Sequence, residues 1–170
     1  MSLLSQPDPN WPKQAKAEIA RWRTALGPAL QDMHHIGSTS VPDLIAKPVL
    51  DLLPVFASET ALDAAKPAVE ALGYEWLGEF GLPGRRYCRQ DNPTSGQRMV
   101  QAHAYATGSP EIRRHLAFRD WLRAAPANAK SYAAEKQRAA HLYPKGGPDY
   151  QDCKSDWINA AETQALRDDA

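Results

Sequence analysis

The chain has 170 residues, 43% of them hydrophobic and 24% charged, and its 20 Lys plus Arg balance its 20 Asp plus Glu. That length suits one domain with a core that needs no disulfide staples. The neutral balance exerts no global pull towards nucleic acid or an anionic membrane surface. The two cysteines, Cys88 and Cys153, form no metal or redox motif, and their scarcity fits a reducing compartment. The opening "MSLLSQPDPN" lacks the charged and apolar regions of a signal peptide, and no stretch approaches the length of a membrane span. The expectation is a single domain over 1–170, cytoplasmic, with a small molecule rather than a membrane or nucleic acid as its partner.

In chain order, a helix is predicted over about 12 to 26, with Ala15, Ile19, Trp22 and Leu26 as its apolar stripe and Gly27-Pro28 as its stop. A short strand follows at 30–36, a turn-rich connection at 37–44 and a buried strand at 48–56. Ser58 is an N-cap for a helix that Gly73 ends, and Pro67 predicts a kink or two short helices. "YEWLGE", "RRYCRQD" and "QRMVQAHAY" read as strands, the last two joined by the turn "NPTSG". From Ser109 the pattern is helical. "SPE" and Pro126 open two helices, and a third follows "GGPDYQD" and ends near Arg167.

Residues 34 to 56, "HHIGSTSVPDLIAKPVLDLLPVF", place one carboxylate, Asp51, among Val49, Leu50, Leu52, Leu53 and Val55. A buried carboxylate is costly unless paired, hydrogen-bonded or metal-bound. Asp51 is therefore either a site residue or half of an ion pair with Lys47 or an arginine. Gly37-Ser38 is either a tight turn or a ligand-gripping one, and Lys47 either clamps an anion or is solvated. Arg85 and Arg89 share a strand face, which suits phosphate recognition or the protection of an edge strand. His34 and His35 lie on opposite faces. His115 and Arg119 fall on the apolar stripe of their helix in packing roles, and Tyr132, Trp121 and Trp157 read as core aromatics.

"HIGSTSVPDLIAKPVLDLL" resembles the hallmark of the GrpB family, a group within the DNA-polymerase-beta-like nucleotidyltransferase superfamily. "GRRYCR" and "RMVQAHAY" resemble that family's central strands, and "GSPEIRRHLAFRDWLRAAPANAKSYAAEKQRAA" its C-terminal helices, so the resemblance runs from about Trp11 to about Ala160. It implies an α+β fold of the nucleotidyltransferase type: a mixed sheet with helices on one side and a C-terminal helical extension from about residue 109. It also implies a site. Gly37, Ser38 and Thr39 would meet nucleotide phosphates, and Asp51 would hold Mg²⁺ or Mn²⁺ with His103 as second ligand or base. Lys47, Arg85 and Arg89 would stabilise charge. Zn²⁺ would tolerate the imidazole better than Mg²⁺ does.

The sequence departs from the superfamily's pattern of two acids two apart on a strand: the second position is Leu53. Gln101 stands where a second histidine is usual in the family. Three functions follow from this set: a metal-dependent nucleotidyl transferase with an unknown acceptor, a degenerate binding module that keeps the pocket, and a small transition-metal hydrolase. The expectation for the pocket is that the central hairpin closes it, not the C-terminal helices, and that Leu53 stands inside it beside Asp51.

Overall fold

Five strands form one sheet in the structure, a computed structural model that describes residues 2–170. They are β1 (Asp32–Ile36), β2 (Leu50–Phe56), β3 (Glu75–Trp76), β4 (Arg86–Asp91) and β5 (Arg98–Ala106), in the spatial order β1-β2-β5-β4-β3. β2 and β5 run parallel and every other neighbouring pair is antiparallel. A parallel pair needs a crossover, and here it holds α2 (Glu59–Ala64), α3 (Lys66–Ala71), β3 and β4. The break between α2 and α3 falls at Ala65, two residues before Pro67, so the predicted kink resolves as two short helices.

Strand alternation sorts β2 onto two faces. Leu50, Leu52 and Phe56 join Met33, Val100 and Ala102 against α1 (Trp11–Leu26) and α2–α3, which contribute Trp11, Trp22, Leu62 and Val69. Leu53 lies on the opposite face with Ile36, Val55 and Tyr105, covered by Ile112 and Leu116 of α4 (Pro110–Ala124). Two more helices, α5 (Pro126–Leu142) and α6 (Pro148–Asp168), pack with α4 around Phe118, Trp121, Tyr132 and Trp157. Tyr132 and Trp157 stack with centroids 4.9 Å apart. The result is the α+β architecture that the resemblance implied, a mixed sheet with α1–α3 on one side and a C-terminal helical extension. Among the described residues no helix is long and apolar enough to cross a membrane.

Candidate ligand-binding site

The site begins where β1 ends. Ile36 is the register partner of Asp51, and the chain turns at once through Gly37, whose φ is +73°. A Cβ at residue 37 would lie 2.6 Å from Asp51 Oδ2. Glycine is needed here both for its left-handed backbone and for this close approach. Ser38–Ser40 then make one 3-10 turn, whose leading amides have no acceptor within it. Three bonds fix the turn. Ser40 Oγ donates to Gly37 O (2.5 Å), Arg123 Nε donates to Ser40 O (2.9 Å), and Arg119 donates to His35 O (3.3 Å). The two arginines belong to α4, so the helical extension grips the turn directly.

The other oxygen of Asp51, Oδ1, lies 3.0 Å from His103 Nε2. A carboxylate only accepts, so Nε2 carries the proton shared with Asp51. Asp51 is thus not a lone carboxylate. Oδ1 is engaged by His103 of β5, and Oδ2 lies against the turn where a side chain at residue 37 would stand.

Above this pair opens a cavity of about 290 Å³. Gly37, Ser38, Thr39, Lys47, Asp51 and His103, six of the residues singled out from the sequence, line it. Arg85 and Arg89 do not. Arg85 donates to the carbonyls of Glu79 and Phe80, and Arg89 pairs with Glu75 at 2.7 Å. Their guanidinium groups therefore hold the β3–β4 edge together rather than facing Asp51. Thr39 reaches the site in a supporting position, 2.8 Å from His35 Nε2.

The expectation that the hairpin closes the pocket is corrected by the structure. β5 supplies only Gln101 and His103, while His115, Phe118, Arg119, Tyr132, Lys136, Tyr150 and Lys154 enter from α4, α5 and α6. His115 and Arg119 line the cavity as well as packing their helix. Leu53 shares a strand face with Asp51, as strand periodicity requires, but it does not stand in the pocket. It is 0% exposed in the apolar cluster under α4.

Lys136 and Lys154 are what the sequence reading missed. They are 4% and 5% exposed and face the cavity together with Lys47. Each sits one helical turn after a tyrosine. The ammonium of Lys136 is 4.9 Å from the centre of the Tyr132 ring, and that of Lys154 is 4.1 Å from Tyr150, on which Lys47 also rests at 4.4 Å. The signal was present as "YAAEK" and "YQDCK", two Tyr-x-x-x-Lys steps that place ring and ammonium on one helix face. Burial lowers Lys136 to about 7 and Lys154 to about 8, with mutual repulsion adding to it, and burial also lowers Lys47. Asp51 acts against all three shifts. Its carboxylate, set in a field of three ammonium groups, answers why an acid is tolerated in this strand.

The donor set does not fit a two-carboxylate metal site. Asp51 and His103 face the cavity, yet Leu53 brings no oxygen and the nearby lysines repel a cation. Among the described residues no cluster of three or more His, Cys, Asp or Glu side chains is placed to hold a metal ion.

The fold with its Gly-Ser turn and strand-borne Asp defines a class. The structure of the Cid1 poly(U) polymerase bound to MgATP matches with a TM-score of 0.53 and 15% identity, over 78% of this chain and 45% of that one. The nucleotidyltransferase-type fold follows from that likeness. The crystal structure of the conserved protein GrpB from Enterococcus faecalis matches far more closely, with a TM-score of 0.89 and 37% identity over 97% of this chain and 98% of that one. The family described as "GrpB protein" matches residues 3–164, and the chain belongs to it. The UPF0157 protein YqkA of Bacillus subtilis is 39% identical over 157 residues, 92% of this chain. The chain spans 45% of the length of that relative.

Proposed function

We propose that the cavity binds a phosphate-bearing small molecule of the nucleotide class, and that the chain is a nucleotidyltransferase-like binding module without the two-acid metal centre. One observation carries this reading. Lys47, Lys136 and Lys154 face one cavity, and among the described residues none has a carboxylate within 4.0 Å. Unpaired buried ammonium groups call for an anion. The Gly37–Thr39 turn beside them offers close backbone approach and two hydroxyls. A cytoplasmic setting, where such metabolites are kept, goes with this reading, and both cysteines are free.

The Asp51–His103 contact favours a second reading, transfer of the ligand's phosphoryl or nucleotidyl group to a small acceptor. Asp51 would then orient His103, the imidazole would take the acceptor's proton at Nδ1, and the acceptor's oxygen would bond to phosphorus as the P–O bond to the rest of the ligand breaks and that part leaves. A metal-dependent transferase or a transition-metal hydrolase would have Asp51 and His103 as ligands, the cavity's other acid, Glu162, being paired with Arg114, and two ligands are too few for Mg²⁺ and weak for Zn²⁺.

A thermal-shift screen of nucleotides and phosphorylated metabolites, with and without divalent metals, tests the binding reading. A ligand at about 100 times its Kd stabilises by roughly 2.7 kcal/mol. If non-phosphorylated compounds alone raise the Tm, the phosphate reading is wrong. Turnover of the ligand that is lost in His103→Ala while binding persists would favour the transfer reading.

A further inference from the structure

Resting on the phosphate-site reading above, we propose that Lys47, Lys136 and Lys154 together hold a ligand with two or more linked phosphates, in the place a divalent cation would otherwise take. The three lysines come from separate parts of the chain: the loop before β2, α5 and α6. Ser5 and Ala46 pair across that loop (2.8 and 3.2 Å), which fixes the backbone beside Lys47. The rings of Tyr132 and Tyr150 carry the ammonium groups but supply no counter-charge.

Burying two ammonium groups in one cavity without partners is costly, and their mutual repulsion adds to the cost. An incoming anion offsets both. Asp51 is the carboxylate that acts on all three lysines, and the other acid lining the cavity, Glu162, is paired with Arg114, so the three lysines leave room for further negative charge. A single phosphate ester supplies at most two at one point, whereas a linked pair spreads its charge across groups that enter from three directions. Where a metal would neutralise phosphate oxygens, the carboxylate pair that would hold it is interrupted at Leu53, and the lysines repel a free cation from the same volume.

The proton balance follows from the geometry. Lys136 is faced by Lys154 from α6, Lys47 from the loop and Asp51 from β2. Lys154 is faced by Lys47, Asp51, Glu135 and Cys153, and Glu135 is paired with Arg138. With burial holding these two lysines near 7 and 8, an arriving polyanion draws protons onto them. Binding at pH 8 therefore takes up protons.

Calorimetry with inorganic pyrophosphate and with ATP, each in EDTA at pH 8 and in two buffers of different ionisation enthalpy, tests the proposal. Binding in EDTA is expected, at least about tenfold tighter than for orthophosphate. Proton uptake is expected too, and excess Mg²⁺ should weaken binding by sequestering the ligand. Lys136→Met and Lys154→Met should each lose at least about tenfold in affinity with a Tm no lower than the parent's. Binding that appears only when Mg²⁺ or Mn²⁺ is supplied overturns the metal-free clamp and leaves the phosphate site standing. Unchanged affinity in both lysine variants, or orthophosphate bound as tightly as pyrophosphate, also overturns the clamp. Failure of pyrophosphate and ATP to bind under any metal condition overturns the phosphate site itself, and the clamp with it.

Discussion

Gly37 and Asp51 are in contact across the β1–β2 edge: a side-chain carbon at residue 37 would lie 2.6 Å from Asp51 Oδ2 and 2.9 Å from its Cβ. The turn and the acid are therefore one unit. Gly37→Ala must either move Asp51 off His103 or displace the turn that Arg123 holds, on a backbone with φ of +73°. A destabilisation of about 1–3 kcal/mol is expected, read from urea unfolding. A change within about 0.3 kcal/mol would mean that the turn is looser than this contact requires.

Leu53→Asp is expected to damage the fold rather than restore a metal site. The new carboxylate would enter the apolar cluster of Ile36, Val55 and Tyr105 beneath α4, where the donor within that cluster is the buried Tyr105 hydroxyl. The expected loss is about 4 kcal/mol or more. A variant that folds as stably as the parent and binds Mg²⁺ by calorimetry would show that Leu53 can turn into the cavity.

Lys136 and Lys154 set the stability profile of the ligand-free protein on the alkaline side. Their folded values, about 7 and about 8, lie below the ordinary 10.5. Between those limits the unfolded chain holds protons that the folded one has released, so stability rises with pH. The slope is up to about 1.4 kcal/mol per pH unit for each lysine. The penalty is fully present below the folded values and is relieved as pH rises. Lys136→Met should be more stable than the parent at pH 7, with a shallower slope to pH 9.5 in urea unfolding. An unchanged slope would place the Lys136 ammonium in water.

His35 and His115 act on the acid side with the same sign. Burial, their leading cause, and nearby arginines hold them at about 4 and about 3, below the ordinary 6.5. Arg114 can only donate, so its contact with His115 Nε2 at 3.2 Å requires a neutral imidazole. As pH falls below 6.5 the unfolded chain takes up protons that the folded one refuses, and stability falls through the range down to the folded values. Unfolding midpoints should drop from pH 7 to pH 5. His35→Gln, which can keep a hydrogen bond to Thr39, should remove about one proton's share of that slope, roughly 1.4 kcal/mol per pH unit. An identical acid slope in the variant would assign the loss to other groups.

Local chemistry wrote much of this protein into its sequence. The Gly37 turn, the split at Pro67, the Ser58 cap and the Asn92 turn each depend on residues within a few positions, and each formed as expected. Asn92 Oδ1 accepts from the amides of Thr94 and Ser95 at 2.8 and 3.0 Å, and Ser58 Oγ from Ala61 at 3.1 Å. The family resemblance had grouped Gly37, Ser38, Lys47, Asp51 and His103, and the structure brings these five round one cavity. The first four lie close in sequence, and β5 pairs in parallel with β2 so that Asp51 meets Gln101 and His103 follows on the same face. Where the helical extension would land was decided only by tertiary structure. Arg119 and Arg123 dock α4 on carbonyls more than eighty residues away in sequence, which places α4 over Leu53 and the α5 and α6 lysines over Asp51. Periodicity assigns a lysine to a helix face, but it carries no information about which distant surface that face will meet. For the same reason Arg85 and Arg89, basic and strand-borne in sequence, turned out to serve the β3–β4 edge, while much of the charge that faces the site came from two helices whose lysines the sequence did not single out.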